Sequence, residues 1–236
     1  MTNHKDNQSK RTSKKNEKFR VIFSILTVVL LIITGCNGTS VITMTTESDE
    51  VKIYVSGSGK FTIDWGDGTV ENGTLLAIDE HRDGYVNLYS HNYSISSSHI
   101  ITITGENITH LDCSDNQLTR LDVRKNAALN LLWCSHNQLT SLDLSKNTAL
   151  THLHCGYNQL TRLDLRKNTA LMILACWGNQ LNAIELNNLF KTLHGNTGEK
   201  RIFIANNPGT SDCNWSIAEE KGWTIWVIEF FSHYSG

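Results

Sequence analysis

Between Ile108 and Leu186 one 21-residue pattern is written nearly four times. Cys113, Cys134, Cys155 and Cys176 form one column, Asn116, Asn137, Asn158 and Asn179 a second, and Leu118, Leu139, Leu160 and Leu181 a third. A period of this length defines a solenoid, because one coil cannot bury its own apolar face and must stack on the next to do so. Each coil is expected to hold two short extended pieces, one around Leu111-x-Cys113 and one around Leu121-x-Val123, joined by asparagine turns. Side chains alternate along an extended chain, so Leu111 and Cys113 point inward and their neighbours face solvent. Inward asparagines at the bends can satisfy backbone groups that the turns leave free.

The pattern L-x-x-L-x-C-x-x-N-x-L resembles a leucine-rich repeat with cysteine at one inward leucine position. In its 21-residue, cysteine-laddered form it is similar to the internalin J class of repeats and to Bacteroidetes surface lipoproteins. The resemblance implies an α/β solenoid, mainly β, over residues 108–186, with the first strand lining a concave ligand face. A C-terminal α/β cap over residues 187–236 is implied in the same way. Within that cap we expect a helix over 187–194, a strand over 201–205, a helix over 216–221 and a closing strand over 223–231. Trp215, Trp223 and Trp226 are expected in its core.

The ladder cysteines admit three chemistries. Four thiols in a straight column about 5 Å apart cannot converge on one tetrahedral zinc. Disulfides between neighbours are geometrically conceivable in an oxidising compartment. Buried thiols acting as small apolar groups are favoured.

Residues 1–20 carry seven basic and two acidic side chains, and Val21–Gly35 carries none of either. A basic start before a short apolar run reads as an export signal. The run ends in Ile33-Thr34-Gly35-Cys36, which resembles a bacterial lipobox; residues 1–35 would be removed and Cys36 acylated as a membrane anchor. That removal leaves 14 basic against 21 acidic groups of the original 21 and 23, an acidic chain ill suited to nucleic acid. Residues 36–50, rich in Ser, Thr and Asn, read as a lipidated tether.

Residues 51–107 alternate as strands separated by turns. Phe61-Thr-Ile-Asp-Trp-Gly-Asp-Gly68 followed by His91-Asn-Tyr93 resembles the signature of polycystic-kidney-disease-type (PKD) β domains. This segment is expected to cover the open end of the solenoid. Asp64 and Asp67 beside glycines read as turn residues and not as a cation site.

The two outward faces of the repeats differ in composition. The second piece repeats Asp122, Asp143 and Asp164 beside Arg124, Ser145 and Arg166, a pattern expected of a solvated scaffold. The first changes from coil to coil: Asp112, Trp133, His154 and Ala175 in one column, His110, Leu131, His152 and Ile173 in the next, and then Asp115, His136, Tyr157 and Gly178. Exposed rings mark contact surfaces. Trp133, His136, His152, His154, Tyr157 and Trp177 are therefore the candidate binding residues, for a protein or glycan partner at the cell envelope. The reading is non-enzymatic and monomeric, with no catalytic residue, cofactor or metal. The alternatives are a spacer lipoprotein and a metal-dependent hydrolase, the latter because His152 and His154 share one side of a strand at a ligating spacing.

Overall fold

A computed structural model describes residues 39–77, 87–94 and 97–227. The export signal over 1–35, Cys36 and residues 228–231 of the expected closing strand lie outside the described residues. No helix among the described residues is long and apolar enough to cross a membrane.

The described chain is mainly β, with eleven strands in one sheet. These are β1 (Ser40–Thr46), β2 (Glu50–Asp64), β3 (Val70–Leu75), β4 (Leu88–Asn92), β5 (His99–Asp112), β6 (Leu118–Asp122), β7 (Leu131–Trp133), β8 (His152–His154), β9 (Ile173–Ala175), β10 (Lys200–Phe203) and β11 (Trp223–Trp226). Two helices, α1 (Ala183–Thr192) and α2 (Ser216–Glu219), lie between β9 and β11.

The 21-residue period becomes a parallel ladder. Leu111 pairs with Leu132, Leu132 with Leu153 and Leu153 with Leu174, one strand per coil. Leu111, Cys113 and their equivalents in the next three coils are fully buried, as are Leu118, Leu139, Leu160 and Leu181. The ladder runs two strands further than the repeat reading allowed. Ile202 pairs with Leu174, and Ile225 with Ile202, so β10 and β11 extend it to six parallel strands. The insertion of α1 lengthens the interval from β9 to β10 to 28 residues and hides this coil from a search at period 21.

Asparagines fix the bends. Asn137 Nδ2 donates to the carbonyls of Cys113, Cys134 and Ser135, and its Oδ1 accepts from the amides of Asn116 and Leu118. Asn158 and Asn179 repeat most of this set, and Asn207 closes it by donating to Cys176 and accepting from Leu181. Each buried amide therefore ties two coils through groups that would otherwise be unsatisfied.

The tether expected over residues 36–50 is corrected over residues 40–46, and Glu50 already belongs to β2. Ser40–Thr46 is a strand paired antiparallel with both β5 and β6. Ser40, Ile42, Met44 and Thr46 are buried, so the alternation is real but disguised by Ser and Thr at inward positions. The expected second extended piece is a strand only in the first coil, as β6, where β1 supplies a partner.

β5 is the hinge of the topology. Its first half pairs with β1, while its last residues pair with β7 on one side and β2 on the other. The Trp-Gly-Asp-Gly and His-Asn-Tyr segments form one closed network. Asp67 accepts from the amide and hydroxyl of Thr69 and meets His91 Nε2 at 2.7 Å, while Tyr93 donates to the Trp65 carbonyl at 2.7 Å. The Thr69 hydrogen bonds, with His91 adding, hold the Asp67 carboxyl well below the usual carboxylate range.

α1 starts four residues earlier than expected because Asn182 caps it, accepting from the Glu185 amide at 2.9 Å. Asn182-x-x-Glu185 is a capping pattern readable in the sequence. At the other end, Lys221 Nζ donates to the carbonyls of Phe190, Lys191 and Leu193. Trp223 is buried as expected, but Trp215 and Trp226 are each 39% exposed and are not core residues.

Candidate functional site

Register places the candidate residues. Because Trp133 pairs with His154, His154 with Ala175, Ala175 with Phe203 and Phe203 with Trp226, five outward positions form one column across β7–β11. Trp133 and His154 stack at 5.3 Å and 19°. The fourth coil offers only Ala175, and Trp177 from the bend fills the space, 6.2 Å from His154 and 5.9 Å edge-on to Phe203. Phe203 stacks on Trp226 at 6.0 Å and 24°. The result is a ridge of rings running Trp133, His154, Trp177, Phe203, Trp226.

A second column stands at the bend. Asp115, His136, Tyr157, Gly178 and Asn206 all adopt left-handed backbone, with φ between 49° and 61°. That conformation disfavours bulky side chains and recurs here because each precedes an inward asparagine. His136 stacks on Tyr157 at 4.4 Å and 22°. Glycines give these rings room: a Cβ on Gly156 would lie 2.3 Å from the Trp177 indole nitrogen, and one on Gly178 would lie 2.7 Å from the Tyr157 ring.

The expected exposure holds for part of the set. His136 is exposed, and Trp133, His152, His154 and Tyr157 are half-buried. Trp177 was expected to be exposed and is not, with 7% of its surface free. It forms a small second cluster with Ala175, Phe203 and Ala205, separate from the main core. Neighbouring rings cover it because the small Ala175 and Gly156 let it lie down on the sheet.

Burial disfavours the charged form of three imidazoles on this face, His110, His152 and His154. Burial, with the charge of His152 adding, lowers His154 to about 4, and burial likewise lowers His110 and His152. His110 and His152 are each tied through Nδ1 to the preceding threonine hydroxyl at 2.8 Å. Burial raises the carboxyl of Asp112, at the head of the ring column. Among the described residues no group of three or more His, Cys, Asp or Glu side chains could hold a metal ion. The four ladder cysteines are buried free thiols, and burial raises all four, Cys155 to about 12. They supply no nucleophile to either face.

Away from the ring face lies a groove of about 1130 Å³ that the sequence reading did not foresee. Its floor is the second piece of the middle coils and its wall is α1, with Leu142, Leu163, Arg162, Asp143 and Lys191 among the lining residues. Arg124 pairs with Asp122 at 2.7 Å and Arg166 with Asp164 at 2.9 Å, the exposed repeating ion pairs expected of a scaffold.

Fold and site together define a β solenoid of leucine-rich-repeat-like coils with one ring-bearing face. No family model matches the chain, and no curated protein matches it. Among solved structures it is similar to the functional domain of InlJ from Listeria monocytogenes, which includes a cysteine ladder. The two share 30% identity over 50% of this chain and 25% of that one, with a TM-score of 0.39. The matched region spans about a quarter of that chain's length.

Proposed function

We propose that this chain is a non-enzymatic recognition protein of the bacterial cell envelope, binding a protein or glycan partner through the ring face of its parallel ladder. The observation that carries the reading is the register. It gathers Trp133, His154 and Trp226, scattered over 94 positions of sequence, onto one face, with Tyr157 packed against the same ring cluster. A generic scaffold has no need of rings at half-exposed positions. In this reading the sheet over residues 51–107 and the elements after 187 act as the two end caps. Acylation at Cys36, after loss of residues 1–35, holds the protein at the outer membrane or cell surface.

A second reading is favoured by the burial of Trp177 and Phe203: the ring cluster is a small accessory core in a spacer lipoprotein. Replacing Trp133 and Tyr157 by alanine separates the two. Recognition predicts loss of partner capture from envelope extract with a thermal midpoint lowered by only a few degrees. A spacer predicts a large drop in midpoint and unchanged capture, and that outcome would remove the ring face as a binding surface.

A further inference from the structure

We infer that the bend edge of the solenoid carrying Lys125, Lys146 and Lys167 docks on the anionic headgroups of the membrane that holds the anchor; this rests on the Cys36 acylation proposed above. The charges of the coils are segregated between their two bends. The stretches 124–130, 145–151 and 166–172, which turn one coil into the next, hold five basic residues and no acidic one: Arg124, Lys125, Lys146, Arg166 and Lys167. The opposite bend, over 114–117, 135–138 and 156–159, has no lysine or arginine and one carboxylate, Asp115. Arg124 and Arg166 are engaged by Asp122 and Asp164. Lys125, Lys146 and Lys167 are exposed and form no ion pair among the described residues. The asparagine after each lysine keeps the coils in register. Asn147 Nδ2 donates to the carbonyls of Val123 and Asn126, and Asn168 Nδ2 to those of Leu144 and Asn147, so the three lysines stand on consecutive coils along one edge.

Chain length selects the partner. β1 runs antiparallel to β6 with Thr43 opposite Asp122. The start of β1 at Ser40 and the turn at Lys125, each three residues further on, therefore lie at the same end of that pair. Ser40 is buried and paired with Gly105, so it belongs to the folded body. Cys36 precedes it by four residues, a covalent reach of at most about 14 Å. An anchor that short brings the lysine end of the first coil to the headgroups, within about two screening lengths of ~8 Å at physiological salt. Glu106, beside the Gly105 that pairs with Ser40, is offset in sign by Lys60 on the adjoining β2. The other acidic groups of this region, Glu47, Asp49 and Glu50, follow the far end of β1, about 20 Å away, where screening removes their repulsion. A lysine column by itself would suit an anionic polysaccharide equally well; the four-residue reach is what favours the bilayer. Docked in this way, the coils stand on their basic edge, and the opposite bend with His136 and Tyr157 is directed away from the membrane.

The test expresses the full chain in a bacterium, purifies it in detergent and reads its intact mass for cleavage before Cys36 and acylation. The protein is then reconstituted on vesicles of phosphatidylcholine alone or of phosphatidylcholine with phosphatidylglycerol, and its lysines are footprinted with an amine-reactive reagent. Lys125, Lys146 and Lys167 are expected to react roughly fivefold or more slowly on the anionic vesicles than on the neutral ones, with raised salt removing the difference. Lys52, held by Glu50 on β2, serves as the control and is expected to react alike on both. An acylated protein whose three lysines react equally on the two vesicles would overturn the inference and leave the anchor standing. Lysines shielded by an added anionic polysaccharide on neutral vesicles, and not by phosphatidylglycerol, would overturn it in favour of that polymer. A chain that carries no acyl group would overturn the inference and the anchor reading together.

Discussion

Gly156 and Gly178 are where the ring face is most sensitive to a single methyl group. Gly156→Ala places a carbon where the Trp177 indole lies, so the indole must shift away from the sheet and lose its edge-on contact with Phe203. Overpacking of this kind costs about 1–3 kcal/mol. Chemical denaturation is expected to show it, together with a red-shifted tryptophan emission as Trp177 is pushed into solvent. His154 sets the acid response. Its folded value of about 4 lies below its ordinary 6.5, so between those limits the unfolded chain takes up a proton that the folded chain refuses. Stability therefore falls as pH drops from about 6.5 toward 4, with His110 and His152 acting in the same sense. Each imidazole contributes at most about 1.4 kcal/mol per pH unit. Urea midpoints at pH 7.5 and pH 5 are expected to differ more in the parent than in His154→Phe. The ladder thiols make a third prediction at this scale. Raised and buried, Cys113, Cys134, Cys155 and Cys176 are expected to resist a thiol reagent at pH 8 for hours in the native protein and to react at once in denaturant; prompt native labelling would contradict the packing described.

At the level of elements, α1 depends on Lys221, 29 positions beyond its own C-terminus. Lys221 satisfies three carbonyls at or beyond the last turn, and Lys221→Met keeps the apolar stem while removing the charged donor. The expected cost is about 1–3 kcal/mol, read from a melt, with hydrogen exchange accelerated in α1 ahead of the solenoid. Such ties explain which elements the sequence disclosed. The coils were readable because leucine, cysteine and asparagine recur at fixed spacing and each column has one physical task. β1 was not, since Thr and Ser occupy both its buried and half-exposed positions and apolar alternation is the only signal a short strand offers. β10 was read as a strand but not as a coil, because only the pairing of Ile202 with Leu174 and the Asn207 contacts reveal that it continues the ladder. Phe203 and Trp226 were missed as face residues for the same reason. Columns can be compared only after the register is known, and a 28-residue interval shifts it.

Across the whole molecule, the asparagine ladder from Asn116 to Asn207 and the apolar columns beside it give each coil its stability from its neighbours. The ring face is a product of that stacking and of no single coil. Its central claim is that outward residues in successive coils lie one above another from β7 to β11. The most direct measurement is ring-to-ring nuclear Overhauser contact in the native protein with selectively labelled aromatic and histidine side chains. Contacts between Trp133 and His154, between Trp177 and Phe203, and between Phe203 and Trp226 are the predicted result. Trp226 rings contacting the leucine core, or Trp133 and His154 showing no contact, would contradict it.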